Sequence, residues 1–237
     1  MKQHDIRIPL PPFTIRGTVE LPEQPAGLVV LAQASAAHQP ARRAQLVLAT
    51  LAEARIAGVR LDLIMPEEGD VAEDTRLVWS DIHFLAGRLA IATDWLVQWA
   101  ETVHLPIGYL GIGANAAVAL LAAAARPLLV KAIVTCDGRP DLAVPALRSV
   151  VTPTLFLVHG DDRGGLQINR RAMETLGAEQ KELHVLSGEE ARHSDRRVTV
   201  PETARRSRTW FTRFMSPAAA AEARPGEQGI TASPRAP

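Results

Sequence analysis

The residues of this chain that could carry chemistry lie just behind short apolar runs. Val158-His159-Gly160-Asp161-Asp162 sets a histidine and two carboxylates at the end of the run Thr154–Val158. A carboxylate there, Asp162, can orient a histidine, and an oriented histidine can abstract a proton or activate water. His159 and the more distant His193 are the two partners in reach of such a role. Ser35, in Gln33–Arg43 (QASAAHQPARR), and Cys136, behind Lys131–Thr135, are a hydroxyl and a thiol near the same region. A reactive thiol needs a cation or a helix N-terminus to lower its pKa, and Asp137 beside Cys136 acts in the opposite direction. The stretch Pro106–Leu120 (PIGYLGIGANAAVAL) reads as a buried strand, a tight turn over Gly111–Ala114, and an alanine-rich helix from Asn115. A G-x-S-x-G turn of that layout lifts a serine hydroxyl to the carboxyl end of a parallel sheet. Here the five residues are Gly111-Ile112-Gly113-Ala114-Asn115, so the serine position holds Gly113.

The remaining candidates have plainer readings. His38, His159 and His193 each follow a strand, but their spacing matches no zinc-ligand pattern, so no metal and no other cofactor is expected. Gly111-x-Gly113 lacks the later glycine and lysine of a phosphate cradle and is explained by the turn. Asn115 is expected to cap the helix it opens. His159 is expected to hydrogen-bond within its own loop, and His184, alternating with Leu183 and Val185, to face helix packing or solvent. Arg139 and Asp141 are expected to brace the loop Cys136–Pro145. The arginines of Arg192–Arg208 are diluted by Asp195 and Glu202 and read as a solvated helix face.

These positions need elements to hold them. Ile6–Leu10 and Phe13–Glu20, split by Pro11-Pro12, predict an edge hairpin. Gly27–Ala32, Val59–Leu63, Ile107–Leu110, Lys131–Thr135, Thr154–Val158 and Glu182–Leu186 are short apolar runs, as in strands covered on both faces. Between them, helical periodicity predicts helices over Arg42–Ala57 (stopped by Gly58), Val78–Trp99, from Asn115, near Leu166–Leu176, and Pro201–Met215 with Pro in its first turn. The alternation implies an α/β fold: a three-layer sandwich with a mostly parallel twisted sheet and helices on both faces. Residues 1–215 form a single domain in this reading. Ser216–Pro237, rich in Ala, Pro, Gly and Ser and without a period, is expected to be a disordered tail.

Composition narrows the function classes. Lys+Arg and Asp+Glu are both 26, so no global field draws the chain to nucleic acid or an acidic membrane. Aromatic residues are 4%, too few for stacking platforms along a single strand. No apolar run approaches the roughly 18 residues of a membrane helix. The first residues, MKQHDIRIPLPPF, carry charge and proline where a signal peptide needs an apolar stretch. With a single cysteine, this fits a cytoplasmic location.

In this order of parts the chain resembles the α/β-hydrolase superfamily, and within it the dienelactone-hydrolase-like proteins, from about Phe13 to Met215. The resemblance rests on Leu61–Glu68 (LDLIMPEE), Asp81–Leu89 (DIHFLAGRL), Pro106–Leu120, Gly138–Ala143 (GRPDLA), Pro153–Asp162 (PTLFLVHGDD) and Thr203–Phe214. It implies a serine, an acid and a histidine in chain order, with oxyanion donors from an early loop and from the residue after the nucleophile. The serine position is Gly113, the residue after it is Ala114, and the acid is Asp162, with Asp161 beside it. The histidine position falls on Ala191 or Arg192, one or two residues from His193. The early loop, usually opened by His-Gly, has Gln33-Ala34. The implied function is a pseudo-hydrolase that binds a small molecule in the pocket above Gly113, or a protein partner, without hydrolysing it. Gln33, Ser35, Ala114, Cys136 and His159 are the candidate ligand contacts. The alternative is a hydrolase or lyase of altered mechanism, using Asp162 with His193 or His159. A third is a nucleophile recruited from Ser35 or Cys136.

Overall fold

A computed structural model describes residues 1–33, 38–64, 82–186 and 200–215. Their strands form one eight-stranded sheet in the order β1-β2-β4-β3-β5-β6-β7-β8. Strands β1 (Lys2–Leu10) and β2 (Phe13–Leu21) make the antiparallel hairpin across Pro11-Pro12, and β2 runs antiparallel to β4 (Ile56–Asp62). From β4 onward every pairing is parallel, through β3 (Gly27–Gln33), β5 (Ile107–Ile112), β6 (Val130–Cys136), β7 (Thr154–His159) and β8 (Lys181–Leu186). All the carboxyl ends of these parallel strands therefore lie along one edge, where open α/β sheets bind ligands.

Helices cover both faces. Helices α2 (Ile82–Leu96), α3 (Asn115–Ala125) and α4 (Arg163–Thr175) contribute Leu85, Leu89, Ala117, Leu120 and Ala172 to one apolar core. Helices α1 (His38–Glu53) and α5 (Val200–Met215) contribute Val47, Leu51, Trp210 and Phe211 to the other. The sandwich is thus three layers deep, as the periodicities imply. Every residue of Ile107–Gly111 is buried. At Gly108 a Cβ would lie 2.7 Å from Met215 Sδ and from a ring carbon of Phe211, so the missing side chain is what lets α5 seat on the central strand.

Several boundaries differ from the sequence reading. Helix α1 begins at His38 and ends at Glu53, so Ile56 and Ala57 belong to β4 and not to the helix. Arg55, in the left-handed region at φ 58°, turns the chain there, and its carbonyl accepts from Ala26 N. Gly58 stops nothing: it lies inside β4 against Leu48 of α1. The expected loop Cys136–Pro145 contains a 3₁₀ segment, Pro140–Ser149, with Pro at its start and Pro145 inside. Pro145, inside the segment, removes a donor an α-helix would need. Residues 78–81 of the expected helix Val78–Trp99, which ends at Leu96, and the expected tail 216–237 lie outside the described residues. Among those described, no helix is long and apolar enough to cross a membrane.

Candidate functional site

The strand–turn–helix is present as the spacing predicts, with β5 ending at Ile112 and α3 starting at Asn115. Gly111 is packed against the first turn of α3: a Cβ there would sit 2.6 Å from Ala116 Cα. Gly113, at the tip, has φ 61°, and a Cβ on it would meet nothing within 4 Å among the described residues. Its N–H donates to Cys136 O at 3.0 Å, and its carbonyl accepts from Arg139 N and Ala116 N, each at 3.1 Å. The tip is thereby tied to the end of β6, the next strand.

Ala114 is exposed and already helical (φ −61°, ψ −27°), with no side-chain cap at this end of α3. The expected cap by Asn115 is therefore corrected. Asn115 is the first residue of the helix, one place too far along for its side chain to bridge back over the first turn. Cys136 is fully buried in the core shared with α1 and α5.

The acid loop shows a different pairing from the one expected. Asp162 is the N-cap of α4, its carboxylate accepting from Gly165 N at 2.8 Å. The ring of His159, 7% exposed, has its Nδ1 2.6 Å from Oδ1 of Asp137, across the sheet edge at the end of β6. The same carboxylate oxygen accepts from His159 N at 3.0 Å. The expected bond within the acid loop is thus replaced by one between loops. Asp137 itself is in the left-handed region, φ 46°, an uncommon conformation for a residue with a side chain, and one in which Asp is enriched. Buried Asn169 of α4 donates to Gly138 O at 3.0 Å and Gly165 O at 2.8 Å, fixing the loops after β6 and β7 against each other. A cavity of about 230 Å³ opens here, lined among the described residues by Asp137, His159, Asp161 and Asp162.

Asp137 is the residue that sequence reasoning missed as part of the site. Its signal was available: an acid immediately behind a buried strand and before a glycine, at the edge where ligands bind.

Other expectations are met away from the cavity. Arg139 Nε and a terminal nitrogen grip Asp141 at 2.9 and 2.7 Å, and those hydrogen bonds hold the Asp141 carboxyl below its ordinary range. His184 Nε2 meets Glu202 of α5 at 3.1 Å. Gln33 ends β3, opposite Asp62, with its side chain outside the described part. Ser35, Ala191, Arg192 and His193 lie outside the described residues altogether. Among the described residues no three His, Cys, Asp or Glu side chains group as metal ligands.

No family model matches the chain. A dienelactone hydrolase from Anabaena variabilis is 32% identical, with a TM-score of 0.81 over 90% of this chain and 98% of that one. Est1E from Butyrivibrio proteoclasticus matches at 11% identity and a TM-score of 0.68, over 87% of this chain and 97% of its own, a likeness of fold alone. Among curated proteins, relatives from two strains of Mycobacterium tuberculosis are 35% identical over 212 residues and carry the provisional name phosphoribosyl transferase. The match takes in 89% of this chain and 46% of each relative, so the chain spans about half their length.

Proposed function

Since this chain belongs to the dienelactone-hydrolase family of the α/β-hydrolase fold, we propose that it is a serine-independent member, a pseudo-hydrolase that binds a small molecule at the carboxyl edge of the sheet. The observation that carries this reading is Gly113. It has the positive φ of an elbow tip and open space where a side chain would stand. The turn that would present a nucleophile is built, and the hydroxyl is absent. Removing the serine from a triad lowers turnover about a million-fold, which is about 8 kcal/mol of barrier.

The name carried by the Mycobacterium relatives is not transferred. Transfer of a phosphoribosyl group requires holding a diphosphate. Gly111-x-Gly113 lacks the cradle for one, and carboxylates of Asp137, Asp161 and Asp162 line the cavity. Those relatives are about twice as long as the match.

A second reading, acid–base chemistry without a nucleophile, is favoured by the Asp137–His159 pair. It stands beside the expected use of Asp162 with His193 or His159: Asp162 caps α4 and also lines the cavity, and His193 lies outside the described residues.

The test is labelling with a fluorophosphonate probe alongside hydrolysis of p-nitrophenyl butyrate. The purified chain should remain unlabelled, with no serine-type burst. Stoichiometric labelling of any serine would overturn the serine-independent reading.

A further inference from the structure

We propose that the outer edge of β1 is an interface at which a second copy of this chain pairs antiparallel through its own β1, about a two-fold axis at Ile6. Strand β1 lies at one end of the sheet, several strands from the cavity behind β6 and β7, so the pairing is independent of what that cavity binds.

Among the described residues no strand pairs with the outer edge of β1. The strand is nine residues long, against about five or six for an ordinary one. Its register with β2 runs unbroken from Lys2 to Leu10. Pro9 has no N–H to give β2, so its backbone faces outward. Antiparallel pairs alternate between bonded and non-bonded, so Gln3, Asp5 and Arg7 face outward with it. Such a row of N–H and C=O groups is a template for another strand.

The side chains on this edge select which strand. Asp5 and Arg7 are exposed and flank buried Ile6 with opposite charges. A two-fold contact needs a patch complementary to itself. With the axis at Ile6, Asp5 of each copy stands opposite Arg7 of the other, in a pair that exchanges both backbone hydrogen bonds. Gln3 N–H meets Pro9 O, and the proline is asked for no donor. Sliding the strands by two residues sets Asp5 against Asp5 or Arg7 against Arg7, which repel. Within one chain Arg7 stands opposite Arg16 of β2, and Asp5 accepts the Thr18 hydroxyl at a long 3.5 Å. A second copy brings each of them an opposite charge. An edge charged to keep strands away, chiefly by Lys, repels every register, whereas opposite signs about a centre attract in one. On the core side, Ile6 and Ile8 join the apolar core, and pairing sets Ile6 beside its own copy. Strand β8, at the other end of the sheet, is different. Lys181 Nζ donates to Leu176 O, His184 meets Glu202, and Glu182 meets Arg213 of α5, so its polar side chains are held by its own chain.

Sedimentation equilibrium of the full chain tests this. The chain should sediment at twice the 25.6 kDa of one copy and dissociate on dilution. Asp5→Arg and Arg7→Asp, each alone, put like charges into both pairs and should raise the dissociation constant about tenfold or more. Asp5→Arg combined with Arg7→Asp restores opposite charges and should recover the dimer. Both side chains are exposed, so all three variants should keep the circular dichroism of the unmodified chain. Amide exchange at Asp5 and Arg7 should slow as the unmodified chain is concentrated, because pairing covers those N–H groups. A chain that is monomeric at every concentration overturns the proposal. A dimer that survives both single reversals overturns it too, by placing the interface on another surface. So does a combined variant that binds no tighter than the single ones.

Discussion

Gly111 and Gly113 are two residues apart and require glycine for opposite reasons. At Gly111 the obstacle is space, since a Cβ would fall 2.6 Å from Ala116 Cα and 2.8 Å from Asn115 O, both backbone atoms that cannot move alone. At Gly113 space is open and the constraint is φ 61°. A left-handed conformation costs a residue with a side chain about 1–2 kcal/mol. Gly113→Ser should therefore fold and lose about that much, lowering the Tm by about 2–4 °C per kcal/mol for a chain this size. Gly111→Ala should cost about 3 kcal/mol, at the upper end of overpacking, because strand and helix must separate. Thermal melting of the two variants decides it, and equal losses would contradict the distinction. That Gly113 stands where a serine would was legible from five residues of sequence. That its tip is unobstructed was not, because the space above it is bounded by elements distant along the chain.

Among elements, helix α4 shows how one residue type admits two readings. An aspartate behind a strand and before a helix can be a catalytic acid or an N-cap, and the sequence is the same for both. In the fold, Asp162 accepts from Gly165 N at 2.8 Å and opens α4. Asp162→Ala should cost about 1 kcal/mol, the usual value of such a cap, readable in urea unfolding. An unchanged urea midpoint would mean that the Asp162 cap does not hold α4. The pairing of His159 escaped the sequence for a related reason. His159 and Asp137 are 22 residues apart, at the ends of neighbouring parallel strands. Parallel register is set by a crossover and by packing on both faces, and no local pattern encodes it.

For the whole molecule, the sheet is held between two apolar cores, and the site edge depends on both. Helix α5 closes one face through Phe211, fully buried against Gly108 of the central strand. Phe211→Ala should lose about 3–5 kcal/mol, the usual cost of emptying an aromatic core position. That corresponds to a Tm lower by about 6–20 °C. A loss below about 1 kcal/mol would mean that α5 is not needed to seat β5.

The sequence by itself determined the layering, the parallel sheet with its edge hairpin, the strand–turn–helix at Pro106–Leu120 and the glycine at its tip. Each of these is written in periodicity or in residues adjacent along the chain, where local sterics and burial act. Only the tertiary structure decided which carboxylate meets which histidine. It placed Cys136 in the core rather than at the site, made Asp162 a cap, and brought Asp137 to His159. Those outcomes depend on how separate strands align at one edge of the sheet, a property of packing between distant segments and not of any one of them.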